Sequence, residues 1–475
     1  MEVFHSKTKM VCTMGPACTP KDILLEMSKV GLDVCRINMS HGTQEQHQKT
    51  IDLIKEINAE HDLNLSILID LQGPKLRIGK LEQPYPIQKG DIIELCTAIQ
   101  EQEGNRLPMV YETFARDVHI GDLILVDDGK VELKVLESNG TDTVKLVVAH
   151  GEEIGSKKGV NLPYVKVSLP SITEKDLSDI DFALRNGVHW IALSFVRTAM
   201  DIIELRRYIE RKNSKARIIA KIEKPEALRN IDSIIEATDA VMVARGDLGV
   251  EIYLEEVPIW QKIIVSKCNI AGKPVIVATQ MLESMIENKR PTRAETTDVA
   301  NAVLDGADAL MLSGETSVGK HPVEVVRVMQ SIISKAEQQE SIYHRNMTAN
   351  PESPTFLADA TCVTAVKLAL ETNAKAIVSM TSSGYTAFQL SRCRPKANIY
   401  IFTDNRTMIK TLSLVWGVRA FYYDQFKGTN ETIDDVLNLL EQDRILTKGD
   451  VVINTASIPL HARKRTNMLK VTVIE

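Results

Sequence analysis

Lys221 and Glu223 stand two residues apart at the end of an apolar run that begins at Ala216. Side chains alternate along a strand, so the two share one face. The next apolar run, Ala240 to Ala244, leads directly into Arg245-Gly246-Asp247. A cation and two carboxylates therefore collect at two neighbouring strand ends. Carboxylates that converge in this way suit a hard cation such as Mg²⁺. A lysine beside such a metal suits negative charge developing on a phosphoryl group or an enolate. The plainer alternative is a structural salt bridge, but three charged groups at adjacent strand ends favour a site. Gly246 and Gly249 add places where a backbone N–H can approach a ligand closely.

Other segments carry chemistry less decisively. Arg36-Ile37-Asn38-Met39-Ser40-His41-Gly42 leaves a strand with a guanidinium suited to phosphate, oxygens on Asn38 and Ser40, and the His41 ring. By itself this segment reads better as a helix cap with a surface arginine. Asp70-Leu71-Gln72-Gly73-Pro74-Lys75-Leu76-Arg77 predicts a stiff Gly-Pro hinge flanked by Lys75 and Arg77. Solvated linker charges account for it about as well. Lys157-Lys158-Gly159 gains interest only from its place at a second hinge. Thr279 follows the apolar run from Pro274 to Ala278 and shares the rim with the cluster; a lone threonine there is usually a helix cap. Thr381-Ser382-Ser383-Gly384-Tyr385-Thr386 follows a strand and opens a helix, a place for an anion or for an ordinary cap. Arg463-Lys464-Arg465 could close over the same anion.

These groups need elements to position them. Met10–Met14, Val34–Met39 and Ser66–Leu71 read as strands, with a helical pattern over Thr43–Glu60 between the second and third. The rhythm then changes: from Gln72 to about Ser168 short strands alternate with turns such as Lys89-Gly90-Asp91, Asp127-Asp128-Gly129 and Asn139-Gly140. That spacing predicts a small all-β unit, inserted because the β/α rhythm resumes after it. Thr173 then caps a helix, and strands follow at Trp190–Phe195, Arg217–Ile222, Ala240–Ala244, Pro274–Thr279 and Ala307–Leu312. With the first three they make eight βα units, the number that closes a (β/α)₈ TIM barrel. Arg36, Asp70, Lys221, Glu223, Asp247 and Thr279 all fall at C-terminal strand ends, where such barrels hold their chemistry. Past Asn350-Pro351-Glu352-Ser353-Pro354 a further alternation predicts an open-sheet α/β domain with strands near residues 375–380, 398–403, 418–423, 450–454 and 469–474. The expected division is a barrel over 1–71 and 169–345, an inserted β unit over 72–168, and a C-terminal domain over 346–475.

Bulk properties bound the function. At 475 residues the chain is too long for one core. A composition 44% hydrophobic and 25% charged is that of a soluble globular protein, and no apolar run reaches membrane-spanning length. A net charge of −6 offers no basic surface for nucleic acid. Met1 to Met10 is polar and lacks the apolar core of a secretory signal. Seven scattered cysteines without CxxC spacing predict reduced thiols and a cytoplasmic location.

Along essentially its whole length the chain resembles the pyruvate kinases. The resemblance rests on Thr8 to Ala17, Arg36 to Gly42, Ala220-Lys221-Ile222-Glu223, Met242 to Glu251, Ala278 to Met285, Pro291-Thr292-Arg293-Ala294-Glu295 and Met311 to Thr316. It implies a TIM barrel, an inserted small β-barrel acting as a lid, a C-terminal effector domain and a homotetramer. It also implies phosphoryl transfer from phosphoenolpyruvate to ADP, yielding pyruvate and ATP, with Mg²⁺ or Mn²⁺ on Glu223 and Asp247. By the same resemblance Arg36 and Lys221 hold the transferring group, while Gly246, Asp247 and Thr279 contact the substrate. Thr279 also falls on the path that protonates the enolate. Arg77 and Lys158 would meet the nucleotide from the lid, and Asn38, Ser40 and His41 would line its side of the cleft.

The hinge departs from the commonest family pattern. Many relatives have Thr-Lys-Gly-Pro-Glu where this chain has Leu71-Gln72-Gly73-Pro74-Lys75. The glutamate form is associated with a K⁺ held at the positions of Asn38, Ser40, Asp70 and the Leu71 carbonyl. The lysine form is associated with independence from K⁺, and Lys75 is expected to substitute for that ion. Thr381, Ser382, Ser383, Gly384 and Thr386 match the family's phosphate loop and imply a phosphorylated activator, AMP or a sugar phosphate. Two other readings are a Mg²⁺-dependent aldolase-type barrel handling phosphoenolpyruvate or pyruvate, and an inactive binding protein on the same fold.

Overall fold

The computed structural model describes residues 6–458 and 464–475. Eight parallel strands close a barrel: β1 (Lys9–Thr13), β2 (Val34–Asn38), β3 (Ser66–Asp70), β4 (Trp190–Leu193), β5 (Arg217–Ile222), β6 (Ala240–Ala244), β7 (Val275–Ala278) and β8 (Ala309–Leu312). Each pairs with the next, and β8 returns to β1 through Met10 opposite Leu310. The strands are buried on both sides, which is why they read as unbroken apolar runs. Helices cover the outside. Helix α1 (Gln44–Glu60) starts at Thr43 with a reciprocal cap to Gln46, and Thr173 caps the helix over Glu174–Arg185 in the same way.

The lid leaves after β3. Its seven-stranded sheet runs Val160–Asn161, Leu123–Val126, Val131–Ser138, Thr143–His150, Ile92–Cys96, Arg106–Val110, Arg77–Ile78 in spatial order. The two edge strands meet through a bridge of Arg77 with Gly159, backed by Ile78 N–H to the Lys158 carbonyl and Val160 N–H to the Leu76 carbonyl. The lid is thus a nearly closed barrel with its own core around Ile93, Leu107, Phe114 and Leu133.

The C-terminal domain is an open five-stranded sheet, with β9 (Ala376–Met380), β10 (Asn398–Thr403), β11 (Val418–Tyr422), β12 (Val451–Ala456) and β13 (Met468–Val473) in the order β11-β10-β9-β12-β13. Only β13 is antiparallel. The domain plugs the N-terminal mouth of the first barrel: Leu414 joins the cluster of Trp190, Met242 and Met311 inside it, and the Trp190 indole donates to the Thr411 carbonyl. All seven cysteines are free and buried. Among the described residues no helix is long and apolar enough to cross a membrane.

One pairing in the barrel depends on a neutral histidine. Buried His189 accepts the Ile67 N–H at Nδ1, 2.9 Å away, and so ties β3 to the start of β4. Burial, helped by Lys410 and Lys55, lowers its pKa to about 3. Below pH 6.5 the unfolded chain binds a proton there that the folded chain refuses, so stability falls as the pH drops from 6.5 towards 3. At pH 5 the loss is about 2 kcal/mol. His189→Gln keeps an acceptor but has no proton to gain. Unfolding free energies of the two proteins from urea titration should therefore converge by that amount between pH 7 and pH 5. A difference independent of pH would refute this role.

Candidate active site

Strand β5 carries Lys221 and Glu223 to the C-terminal mouth of the barrel, on one face as period-two alternation requires. The Lys221 ammonium lies 2.9 Å from Glu223 Oε1 and 3.2 Å from Asp70 Oδ1. It donates to Ser194 Oγ at 2.8 Å, and that hydroxyl donates to the Leu71 carbonyl. Arg36 reaches the same Asp70 from β2: Nε and Nη2 both lie 2.7 Å from Asp70 Oδ2. Its Nη1 donates to Thr13 Oγ1, which donates to the Leu312 carbonyl. Arg36 is buried, not a surface arginine. Two cations therefore share one buried carboxylate.

The electrostatics follow from that packing. Burial works against the charge of Lys221, but Asp70, Glu223 and Asp247 outweigh it and hold the lysine protonated well above its usual range. Burial likewise opposes ionisation of Asp70, and Lys221 with Arg36 overcomes it, so Asp70 stays below the usual carboxylate range. Glu223 goes the other way. Burial pushes its carboxyl up, Lys221 pulls it down, and Asp247 adds a further push, leaving it raised. The rise comes from burial and like charge and persists despite the lysine.

These groups fit a divalent cation. Glu223 Oε2 accepts the Phe195 N–H at 2.6 Å, whereas Glu223 Oε1 and Asp70 Oδ1 are buried without a directed hydrogen bond. Asp247 sits in the first turn of α2 (Arg245–Glu251), close enough to act on both Lys221 and Glu223. Among the described residues no three metal-ligating side chains form a closed cage. Two carboxylates and an open side suit Mg²⁺, which keeps waters or takes substrate oxygens for its other positions.

Thr279, the first residue after β7, is under strain. Its φ is +70° and that of Gln280 is +55°. A β-branched residue there is a true outlier, of a kind that persists only where surroundings impose it. Arg245 does so: Nε donates to the Ala278 carbonyl, Nη2 to the Thr279 carbonyl at 2.7 Å, and Nη1 to Asp298. The Gly246 N–H donates to Thr279 Oγ1, which donates to the Ala278 carbonyl. Gly246 and Thr279 thus satisfy each other while facing the site.

The remaining expected residues are less concentrated. Asn38 lies opposite Asp70 in register, and its Oδ1 accepts the Ser40 N–H; His41 is exposed. Arg77 donates to the Lys157 carbonyl, and Lys158 pairs with Asp127 at 3.0 Å, so both are engaged within the lid. Lys75 forms no ion pair with Asp70, whose partners are Arg36 and Lys221; its stem passes Gly159, where a Cβ would lie 3.3 Å from Lys75 Cε. In the C-terminal domain Gly384, at φ +80°, donates to Thr381 Oγ1 and precedes α3 (Tyr385–Arg392). Ser382 is half-buried and Ser383 exposed, while buried Thr386 meets the Thr466 hydroxyl at 2.6 Å. Lys464 and Arg465 are exposed nearby; Arg463 lies outside the described residues.

Sequence reading missed Ser194, Thr13 and Arg245 as parts of the site. Ser194 and Thr13 each stand near a predicted strand end, and Arg245 directly precedes Gly246 and Asp247, both already singled out, so position was the available signal.

Two family models match in tandem: "Pyruvate kinase, barrel domain" over residues 5–326 and "Pyruvate kinase, alpha/beta domain" over residues 359–472. A pyruvate kinase of Geobacillus stearothermophilus is 42% identical over 478 residues, covering 98% of this chain and 80% of that protein. One from Staphylococcus epidermidis is 40% identical over 472 residues, with the same coverage. A solved pyruvate kinase from Cryptosporidium parvum superposes with a TM-score of 0.94 at 37% identity, covering 99% of this chain and 96% of the other. With the barrel, the nearly closed lid and the open C-terminal sheet all accounted for by these matches, the chain belongs to the pyruvate kinase family.

Proposed function

We propose that this phosphotransferase moves the phosphoryl group of phosphoenolpyruvate to ADP, releasing pyruvate and ATP, with Mg²⁺ or Mn²⁺ as its divalent cation. The observation that carries the reading is the Lys221 ammonium, fixed by Asp70, Glu223 and Ser194 beside two carboxylates with an open side. Phosphoryl transfer needs cations aimed at the equatorial oxygens of the moving group. Lys221 and Arg36 are already oriented by Asp70, so little reorganisation accompanies the change in charge. A divalent cation on Glu223 and Asp247 would neutralise charge on the substrate carboxylate and phosphate and align them. Gly246 and Thr279 are assigned to substrate contact, and the Thr279 hydroxyl to the path that protonates the enolate, which requires it to release the Ala278 carbonyl. Arg77, Lys158, Asn38, Ser40 and His41 are assigned to the nucleotide, with the lid carrying the first two and shutting out water.

Lys75 stands for the K⁺ charge, so the enzyme works without a monovalent cation. The loop from Thr381 to Thr386 takes a phosphorylated activator, and the family implies a cytoplasmic homotetramer. An assay coupled to lactate dehydrogenase tests the whole. NADH should be consumed only when ADP is present; consumption without ADP would favour the aldolase-type reading, and none at all the inactive one. Initial rates should be the same within about twofold in K⁺-free and K⁺-rich buffer at equal ionic strength. A large activation by K⁺ would overturn the role of Lys75. At low phosphoenolpyruvate, AMP, ribose 5-phosphate or another sugar phosphate should raise the rate, and silence from all of them counts against the activator loop.

A further inference from the structure

Glu251 is a fully buried carboxylate that the proposed chemistry does not use. It ends α2, one turn beyond Asp247, so the two carboxylates project along the same side of the helix. Its Oε1 accepts Asn161 Nδ2 at 2.8 Å and lies 2.6 Å from Lys224 Nζ. Asn161 belongs to the lid, on the strand next to the seam that closes it. Lys224 directly follows Glu223, and its ammonium lies 5.9 Å from the ring centre of Phe195, whose N–H holds Glu223. One carboxylate oxygen thus joins the lid to both elements that carry the metal-binding carboxylates. Asn161 and Lys224 also line a single cleft with Pro74, Lys75 and Leu76 of the outgoing hinge.

The arrangement is not what stability alone would select. Glu251 Oε2 is buried with no hydrogen-bond partner. A bare buried carboxylate oxygen is costly, and apolar side chains of similar volume commonly replace buried ion pairs without loss. What the carboxylate supplies is direction: it accepts one donor from each side of the hinge.

We propose that Glu251 is a positioning residue, a latch that sets the lid against the barrel through Asn161 and Lys224 and ties the lid's position to α2 and Asp247. The kinetic side of this rests on the phosphoryl-transfer reading; the geometric side does not.

The test measures lid distance in the full chain. Because the native cysteines are all buried, Thr141→Cys in an exposed lid turn and Glu210→Cys on an exposed barrel helix accept spin labels selectively. Asn161→Asp puts a second carboxylate beside Glu251 and should lengthen and broaden the label distance. Asn161→Leu, which removes the donor without adding charge, should do so less. The reciprocal pair Asn161→Asp with Glu251→Gln restores one donor and one acceptor and should bring the short distance back, a rescue that a merely structural role would not give. kcat/KM for ADP should fall about tenfold in Asn161→Asp and recover in the pair. An unchanged distance in Asn161→Asp, or no rescue in the pair, overturns the latch. Absence of ADP-dependent turnover in the unaltered chain would instead overturn the functional reading and leave the distance test standing.

Discussion

Replacing Lys221 by methionine should lower turnover by about a thousandfold or more, while phosphoenolpyruvate still binds. Methionine keeps much of the stem's volume but removes the cation that faces charge developing in the transition state. The loss of one preorganised donor typically costs two to three powers of ten. This donor carries full charge in a buried site, which places the expected effect at the upper end. Ground-state binding should suffer less, because Arg36 retains both of its contacts to Asp70 and Glu223 and Asp247 remain. Substrate binding measured calorimetrically beside turnover in the coupled assay separates the two effects. Without its lysine Glu223 also loses the strongest of the groups that pull its carboxyl down, leaving only the Phe195 N–H, so divalent-metal binding should require a higher pH than in the unaltered protein. Turnover that survives the substitution would mean that Lys221 is not the group that meets the transferring charge.

The second large effect is expected far from the site. Arg394→Met should destabilise the protein by about 3–5 kcal/mol and loosen the C-terminal domain from the barrel. Arg394 is only 2% exposed. It lies 3.0 Å from Asp308 Oδ1, donates twice to Asn269 Oδ1 and once to the Gly306 carbonyl, and stacks 4.7 Å over the Trp416 ring. Removing it leaves Asp308 buried beside the start of β8. Burial already pushes that carboxyl up and Arg394 holds it back, so the variant's Asp308 should take up a proton at higher pH. A fall in Tm of roughly 5 °C or more, with earlier proteolytic release of the C-terminal domain, is the expected result. An unchanged Tm would show that the interface is held by the Leu414 plug and its surroundings alone.

Several strand ends differ from those expected by one to two residues, and each difference has a local cause. Thr279 was expected in β7, but Arg245 and Gly246 hold it at positive φ and the strand stops at Ala278. Ser194 and Phe195 were expected in β4. The Ser194 hydroxyl instead turns to the Leu71 carbonyl, and Phe195 takes φ +54° with its N–H on Glu223. Ala307 and Asp308 were expected in β8; the Asp308 carboxylate accepts the Val275 N–H and ties the strand start to its neighbour. At Thr279 and at Ser194–Phe195 a bond to a distant segment replaced ladder pairing, whereas at Asp308 the carboxylate bond adds to backbone bonds with Val275 and Lys9. Local pattern carries no information about such a partner.

Features that depend on spacing along the chain were legible before any fold was known. Alternation put Lys221 and Glu223 on one face, eight apolar runs implied a closed parallel barrel, and the capping residue Thr173 marked where a helix begins. Only the tertiary structure decided how those faces meet. Asp70, read from the sequence as part of a monovalent-cation region, is the counterion that Arg36 and Lys221 share, although Lys221 is about 150 residues away. Arg36 is buried because Thr13 and Asp70 flank it in the barrel, and Glu251 meets the lid because Asn161 returns from a long insertion. Periodicity records which side of an element a residue faces. Which residue stands opposite is set by closure of the barrel and docking of the domains, where burial makes each charge find a partner across the fold.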